Sequence, residues 1–283
     1  MPDVDAQLSF EFFPPRSDQQ RVQFDRALQT LGALQPEYMS VTFGAGGSTR
    51  SRTPAAVAAI QAAGIAAAPH ISCMSEDQAS IVALLEQYRA TGIRRLVVLR
   101  GDQPSGGGSG VFDHAIDLVR FIRTHYADHF HLEVACYPEH HPESVSPGAD
   151  LDYFQQKVEA GADGAITQFF FNFNAWEQLI DDCQRRGITI PITPGIMPIT
   201  NYAGLARFSK MCGAEIPAWI AKRLAAWEAE HDLESMRAFG QDVIVGLCER
   251  LMESGAPGIH LYTLNRAQTS VRICEQLGWS AAA

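Results

Sequence analysis

A single carboxylate, Glu11, lies within the short apolar run Ser-Phe-Glu-Phe-Phe-Pro-Pro-Arg at residues 9–16. Apolar residues on both sides of the charge are typical of a strand buried on both faces. The two prolines must end that strand because proline has no N–H to donate to a sheet. A carboxyl group among aromatic rings is poorly solvated, so we expect a raised pKa for Glu11, as a general acid at neutral pH requires. The alternative is a surface glutamate that begins a loop.

Further polar residues follow other predicted strands, at the point where each strand ends. They are Thr42, His70, Arg100 with Asp102, Tyr137, Gln168 and Tyr262. This set offers hydrogen-bond donors and acceptors, a cation and a second carboxylate, which could bind a polar ligand or stabilise charge in a reaction. Such a site exists only if the fold brings these strand ends together.

The elements that carry these residues are short strands alternating with helices. Strands are predicted before Pro14 and at residues 38–42, 66–71, 95–100, 132–137, 164–168, 189–193 and 258–262. Helices are predicted at 18–31, before Gly64, at 76–91, 113–125, 150–160, 174–186, 202–211 and 233–253, and before Gly278. An irregular insertion at 216–230 is expected to add one or two helical turns.

Eight strands recurring about every thirty residues indicate an α/β protein with a (β/α)8 TIM barrel, here with an extra helical segment before the last strand. A doubly wound open sheet is the alternative. The polar strand ends favour the barrel, because all carboxyl ends of a barrel converge on one mouth. No composition shift or long linker divides the chain, so residues 1–283 are expected to form a single catalytic domain.

Composition excludes several classes of function. The net charge of −10 argues against an electrostatic grip on nucleic acid or on an anionic membrane. No apolar run approaches the length of a membrane span, and the first seven residues do not resemble a signal peptide, so a cytoplasmic protein is expected. The six cysteines contain no C-x-x-C, which favours buried free thiols over zinc ligands or disulfides.

Other chemistries are poorly supported by the motifs. Gly44-Ala45-Gly46 follows a strand, but Thr49 stands where a dinucleotide fingerprint needs glycine. Residues 105–110 lack the ending of a phosphate loop and are expected to form a flexible rim loop. The spacing of His70, His140 and His141 fits no metal site, so no metal is expected. No serine or cysteine stands in a recognisable nucleophile motif.

The run Phe169-Phe170-Phe171 directly after Gln168 has two interpretations. It is ordinarily core packing, with Gln168 ending a strand. Alternatively, the Gln168 amide reads the edge of an amide or a pteridine-like ring, because it both donates and accepts. An aromatic residue such as Phe208 would then offer a surface on which a flat ligand stacks.

Seven segments together resemble the bacterial methylenetetrahydrofolate reductases. They are Ser-Phe-Glu-Phe-Phe-Pro-Pro-Arg (9–16), Val-Thr-Phe-Gly-Ala-Gly-Gly-Ser-Thr (41–49), Ala-Pro-His-Ile-Ser-Cys (68–73), Leu-Arg-Gly-Asp-Gln-Pro (99–104), Tyr-Pro-Glu (137–139), Ile-Thr-Gln-Phe-Phe-Phe (166–171) and Tyr-Thr-Leu-Asn-Arg (262–266). The resemblance covers nearly the whole chain in order. It implies a flavin-dependent barrel that passes hydride from NADH, or possibly NADPH, through FAD to 5,10-methylenetetrahydrofolate, by a ping-pong mechanism, giving 5-methyltetrahydrofolate for methionine biosynthesis.

The resemblance also implies roles for individual residues. Glu11 matches the general acid that protonates the folate amine, Asp102 an aspartate that contacts the pterin beside the flavin, and Gln168 a hydrogen-bonding partner of the folate. Phe208 and Leu264 match apolar groups where nicotinamide and folate bind in turn, and Arg266 resembles a contact for the glutamate tail. The implied FAD contacts are Thr42, His70, Arg100, Gly101, Asp102, Tyr137, His141, Asp150 and Lys157.

Two residues depart from the family pattern. His114 stands where an aromatic tyrosine is expected near the adenosine end of the flavin, and Tyr153 stands where a smaller polar residue is usual. The chain ends with the barrel, which implies the short form without a regulatory domain, and relatives are oligomers, which implies a homo-oligomer. A differently cofactored reductase on the same scaffold and a non-catalytic folate-binding protein stay open as alternatives.

Overall fold

The computed structural model describes residues 6–43, 52–73, 77–101 and 111–280. These ranges contain nine strands: β1 (Gln7–Phe12), β2 (Tyr38–Val41), β3 (Ala67–Ser72), β4 (Arg95–Leu99), β5 (His131–Cys136), β6 (Gly164–Thr167), β7 (Ile192–Thr193), β8 (Gly195–Ile196) and β9 (Gly258–Tyr262). All pairings are parallel, in the order β7-β6-β5-β4-β3-β2-β1-β9-β8. Since β7 and β8 are consecutive in the chain, the sheet curls into a barrel, and the predicted fold class is confirmed.

The seventh strand of the barrel is interrupted at Pro194, which divides it into β7 and β8. The sequence predicted one strand at 189–193, which is wrong in its bounds: β7 pairs with β6, and β8 pairs with β9. Pro191 and Pro194 have no N–H, so neither can donate to the ladder. Both still accept, since Ala165 N donates to Pro191 O and His260 N donates to Pro194 O, each at 3.0 Å. The barrel therefore closes through the carbonyl groups of two prolines.

Ten helices cover the outside of the described barrel. They are α1 (Asp18–Gly32), α2 (Arg52–Ala62), α3 (Gln78–Ala90), α4 (Ala115–Tyr126), α5 (Pro147–Glu159), α6 (Phe173–Arg185), α7 (Tyr202–Cys212), α8 (Ala218–Ala229), α9 (Leu233–Glu253) and α10 (Ala267–Gln276). Two expectations need correction. α8 spans 12 residues, which is about three turns rather than one or two. α5 begins three residues earlier than predicted, because Ser146 caps it by accepting from Ala149 N.

Alternation along β1 separates the two faces of the barrel wall. Phe10 and Phe12 are fully buried in the core between strands and helices, where Phe12 meets Phe24 of α1 edge to face with centroids 5.3 Å apart. Ser9 and Glu11 alternate with them and belong to the opposite, inner face. Glu11 is therefore held by aromatic packing behind it while its carboxyl group faces the interior of the barrel.

The amino-terminal end of the barrel is filled by an ion network. Arg95 donates to Glu133 Oε1 at 2.7 Å and to Glu37 Oε1 at 2.5 Å, and its guanidinium lies 4.4 Å from the ring centroid of Tyr38. His131 Nε2 lies 2.9 Å from the same Glu133 oxygen. The buried carboxylate is thus paired and hydrogen-bonded, as a buried charge requires. No helix in the described ranges is long and apolar enough to cross a membrane.

Candidate active site

Glu11 lies near the carboxyl end of β1, as the sequence predicted, and its side chain is 14% exposed. Oε2 of Glu11 lies 3.3 Å from Nε2 of His70, which comes from β3. His70 is 6% exposed, and its Nε2 makes no hydrogen bond to the described residues. The structure therefore brings two of the predicted site residues together, with the His70 imidazole nitrogen facing the Glu11 carboxyl group.

The turn after β9 fixes the backbone around Glu11. Thr263 Oγ1 donates to Glu11 O at 2.7 Å. Asn265 accepts from Phe13 N and donates from Nδ2 to Phe13 O, both at 2.8 Å. Leu264 and Asn265 adopt the left-handed conformation, with φ of 51° and 58°. Sequence reasoning did not assign Thr263 or Asn265 a role, although the Thr-Leu-Asn-Arg segment after the last strand is a signal for such a turn, since asparagine tolerates this conformation.

Tyr262 is fixed in one position across the barrel interior. Its hydroxyl donates to Thr167 O at 2.7 Å, and burial, followed by the nearby Glu11, raises its pKa, so the group stays protonated. Gly195 makes this arrangement possible, because a Cβ there would lie 2.6 Å from the Tyr262 ring. Tyr262 and Glu11 are paired residues on β9 and β1. The tyrosine thus forms one wall beside the carboxyl group.

A second part of the mouth is a cavity of about 360 Å³ at the carboxyl ends of β4 and β5. Six residues that the resemblance implies as FAD contacts line it: Arg100, Gly101, Tyr137, His141, Asp150 and Lys157. They come from two strand ends, the loop after β5 and helix α5, which are far apart in sequence. The structure therefore gathers in one cavity most of the residues that the sequence could only assign separately.

The charges in this cavity are partly neutralised by the protein itself. Arg100 donates to Glu143 at 2.6 Å, and this bond with the Arg100 guanidinium lowers the pKa of Glu143. Lys157 Nζ donates to Ala135 O, and burial lowers its pKa. Burial and Arg100 lower the pKa of His141, whose Nδ1 accepts from Glu143 N, so the neutral ring presents Nε2–H. The cavity offers donors suited to an anionic group.

The two departures from the family pattern lie in the same cavity. His114 and Tyr153 both line it, and their rings stack with centroids 5.9 Å apart and planes at 14°. His114 precedes α4, and its backbone N donates to Asp117 Oδ2 at 3.1 Å. The two rings together form one aromatic surface on this side of the cavity.

The remaining predicted residues follow other strands or lie on the helices after them. Thr42 follows β2 and is half-buried, as is Gln168 after β6. Phe208 is half-buried on α7, Leu264 lies in the turn after β9, and Arg266 is exposed at the cap of α10. The run 169–171 is buried, and Phe170 stacks on Trp176 with centroids 6.2 Å apart, which supports the core-packing interpretation of these three rings. Asp102, the glycine segment 44–47 and the loop 105–110 lie outside the described residues.

Strand β3 connects the two parts of the mouth. His70 faces Glu11, and two residues further on Ser72 Oγ donates to Arg100 O at 2.8 Å. An elongated ligand could thus run from the cationic cavity past β3 to the carboxyl group. The donors of Arg100, His141 and Lys157 and the stacked rings of His114 and Tyr153 are suited to a dinucleotide with an aromatic ring system at one end. The residues present fit FAD.

The fold and this mouth define a TIM-barrel enzyme with its active site at the carboxyl ends of the strands. A sequence model of the methylenetetrahydrofolate reductase family matches residues 3–278. The chain is 38% identical over 272 residues to 5,10-methylenetetrahydrofolate reductase of Escherichia coli, covering 96% of this chain and 90% of that one, and 36% identical to the enzyme of Buchnera aphidicola, covering 96% and 92%. The chain belongs to the methylenetetrahydrofolate reductase family and is an enzyme of that class.

Two further comparisons bear on parts of the molecule. The chain is 35% identical to methylenetetrahydrofolate reductase (NADH) 1 of Arabidopsis thaliana over 96% of its own length and 48% of the plant protein, so it spans about half of that relative. An uncharacterized protein from Clostridium thermocellum that binds two copies of 5-methyl-5,6,7,8-tetrahydrofolic acid has a similar structure, with a TM-score of 0.68 at 14% identity. It covers 97% of this chain and 94% of its own, which shows a shared fold.

Proposed function

We propose that this enzyme reduces 5,10-methylenetetrahydrofolate to 5-methyltetrahydrofolate with FAD and a reduced nicotinamide, by a ping-pong mechanism in which Glu11 is the general acid. One observation carries the proposal: β3 joins a partly buried carboxyl group to a cationic cavity through His70 and Ser72. An acid and a site for an anionic cofactor are thereby available at one barrel mouth. The family relationship supplies the substrate.

Glu11 is suited to protonating an amine nitrogen of the bound folate. Transfer of its proton would open the five-membered ring to an iminium ion, which is the electrophile that accepts hydride. The 14% exposure of the side chain limits competition from water, and its backbone is fixed by Thr263. Each turnover leaves Glu11 as a carboxylate, which must recover a proton before the next folate binds.

The cofactor contacts follow from the cavity. FAD, when bound, supplies the hydride acceptor and donor between the nicotinamide and the folate. Arg100, Lys157 and the neutral His141 would bind its pyrophosphate, while Tyr137, Gly101 and Asp150 line the same space. Thr42 and His70 would contact the ring end, since they lie at the carboxyl ends of β2 and β3 and His70 is 3.3 Å from Glu11. Asp102 is proposed to contact both the flavin and the pterin.

The folate contacts are the less constrained part of the proposal. Gln168 would hydrogen-bond the pterin, Phe208 and Leu264 would stack against it, and Arg266 would pair with the glutamate tail. The electron donor is proposed to be NADH, as in the names of the plant relatives, methylenetetrahydrofolate reductase (NADH). The protein is further proposed to be a homo-oligomer in the cytoplasm.

Substituting the proposed acid separates the two half-reactions. We expect Glu11→Gln to retain reduction of the flavin by NADH and to slow reduction of the folate by roughly 10²- to 10⁴-fold, the usual contribution of a general acid. Both rates are measured by stopped-flow flavin absorbance under anaerobic conditions. Glu249→Gln, an exposed substitution on α9, is the matched control and should leave both rates unchanged. Equal loss of both half-reactions, or full retention of folate reduction, would contradict the acid role.

A further inference from the structure

Besides His70 Nε2, two buried polar atoms on the strands beside β1 have no hydrogen-bond partner among the described residues. They are Oγ of Ser40 and Nε2 of His260, and both side chains are 0% exposed. Buried polar groups in folded proteins almost always have a partner, either in the protein or in an ordered water. An explanation for this pair must therefore lie inside the barrel.

The strand register places the two residues on either side of β1. Ser40 of β2 pairs with Glu11, and His260 of β9 pairs with Ser9, the next inward-facing residue below Glu11. Because alternate residues of a strand share a face, all four side chains belong to the barrel interior. The two unpaired atoms thus flank the strand that carries the proposed acid, at its level and one layer deeper.

One ring nitrogen of His260 is already hydrogen-bonded within the protein. Ser9 Oγ lies 2.7 Å from His260 Nδ1. Burial lowers the pKa of His260 to about 4, so the ring is neutral at neutral pH. A neutral imidazole has one donor and one acceptor nitrogen, so Nε2 needs a hydrogen-bond partner that the described side chains do not supply.

We propose that Ser40 and His260 bind an internal water beneath Glu11, and that through this water His260 positions the Glu11 carboxyl group. The water would form hydrogen bonds with His260 Nε2 and Ser40 Oγ and would donate to the Glu11 carboxylate. Three such partners are typical of a buried water. The inference rests on the proposed acid role of Glu11, and it assigns His260 a positioning role, since the imidazole itself transfers no proton to the folate.

Several titratable groups lie near His260, and Glu11 is the one on which loss of the proposed water would act in the reaction. The titratable groups that face His260 are Glu11, His70, Tyr38, Tyr262 and Glu133. Tyr38 and Tyr262 stay protonated, and Glu133 is paired with Arg95. In the proposed reaction Glu11 changes its charge in each turnover, so removal of the water should alter the step in which Glu11 gives up its proton.

A crystal structure of the wild-type protein at a resolution that shows ordered waters tests the site directly. We expect a water within about 3.2 Å of both Ser40 Oγ and His260 Nε2. Pairing of either atom with a protein group or with bound flavin, or an empty space between them, would overturn the proposal.

Kinetics test the positioning role. We expect His260→Leu to slow the folate half-reaction about tenfold and to shift its pH profile, because the carboxylate loses a hydrogen bond, while flavin reduction by NADH is unchanged. His260→Gln, which retains an amide donor, should restore most of the rate. Ser40→Ala deletes one small hydroxyl and should show the same effect if His260→Leu does not fold.

The outcomes distinguish this inference from the proposed function. An unchanged pH profile in both His260→Leu and Ser40→Ala, with Glu11→Gln still losing folate reduction, would overturn the water site alone. Equal slowing of both half-reactions in these variants would also contradict it, since a general structural defect produces that result. If Glu11→Gln keeps folate reduction, the proposed function itself fails.

Discussion

The Arg100 guanidinium has two possible anionic partners at the mouth of the barrel. In the structure it donates to Glu143, whose side chain is 65% exposed. A cofactor pyrophosphate in the adjacent cavity would compete for the same donors. An exposed ion pair is worth little, so the protein can exchange Glu143 for a phosphate at small cost. Glu143 would therefore compete weakly with a bound pyrophosphate for Arg100.

Removing this competitor should tighten flavin binding. We expect Glu143→Gln to lower the Kd of FAD by about two- to fivefold, the range that the energy of an exposed ion pair allows. Flavin fluorescence quenching on titration of the apoprotein measures the change, and Glu249→Gln serves as the charge-matched control. Weaker binding in Glu143→Gln would mean that Glu143 helps to hold the flavin.

The position of a single residue could be predicted from the sequence, whereas its long-range contacts could not. The position of Glu11 at the end of a strand follows from its apolar neighbours and the prolines after it, and the structure confirms it. The Arg100–Glu143 pair joins residues 43 positions apart, and the bonds between Asn265 and Phe13 span 252 positions. No local pattern encodes such contacts, because they arise only when the barrel closes.

At the scale of elements, the turn after β9 acts as a clamp on the end of β1. Asn265 replaces the missing ladder bonds of Phe13 with its side-chain amide, and its φ of 58° suits asparagine better than alanine. This turn is the means by which the last strand determines the position of a residue on the first.

Loosening the clamp should affect both stability and the folate half-reaction. We expect Asn265→Ala to reduce the free energy of unfolding by roughly 2–4 kcal/mol, from two lost hydrogen bonds and a strained backbone. Asn265→Gly should lose less, because glycine accepts the positive φ. Chemical denaturation and single-turnover folate reduction measure the two effects. A destabilised Asn265→Ala variant with an unchanged folate half-reaction would show that the turn stabilises the fold but does not position Glu11 for the reaction.

A second contact between elements joins the loop after β5 to the turn after α7. Glu139 Oε1 accepts from Glu215 N at 3.1 Å. Gly213, with φ of 75°, lies close to this loop, since a Cβ there would be 2.8 Å from Pro142 Cγ. The loop carries Tyr137 and His141, and α7 carries Phe208. The contact therefore couples proposed flavin residues to a proposed substrate residue.

Burial of Glu139 beside this contact should make the free energy of unfolding depend on pH. Burial raises the pKa of Glu139 to about 7, so the folded state binds its proton more tightly than the unfolded state does. The resulting stabilisation is complete below the usual carboxyl pKa of 4.5 and is lost as the pH rises through about 7. Over this pH window we expect the wild type to lose roughly 1–3 kcal/mol of its free energy of unfolding. Glu139→Gln does not titrate and still accepts from Glu215 N, so it should not show this loss. Urea denaturation at several pH values measures it, and an unchanged slope relative to the wild type would refute it.

Element boundaries show the limits of pattern reasoning. Alternation and helix caps predicted most helices and strands. The seventh strand was predicted too early because Ile188 and Ile190 continue the apolar pattern before Pro191, whereas the strand residues begin at Ile192. The length of α8 was underestimated because its buried residues, Ile220 and Leu224, make a weak apolar stripe. Both features depend on packing against neighbouring elements, which the local sequence does not record.

At the scale of the whole molecule, the two ends of the barrel differ in the state of their polar groups. At the amino-terminal end, Arg95, Glu133 and Glu37 satisfy one another. At the carboxyl end, His70 Nε2 faces the Glu11 carboxyl group without a hydrogen bond to the described residues, and a cavity opens beside Arg100. This difference is expected of the fold, in which the amino-terminal end serves stability and the carboxyl end binds ligands. The convergence of strand ends could be predicted from sequence, whereas the cavity shape could not, since it depends on helix α5 and the loop before it.

The visible spectrum of the purified protein under anaerobic conditions tests the central claim most directly. We predict flavin absorbance that bleaches when NADH is added and recovers when 5,10-methylenetetrahydrofolate follows, because one mouth serves both half-reactions in turn. A colourless protein that stays inactive with added FAD, or flavin that bleaches with NADH and is not reoxidised by the folate, would contradict the account.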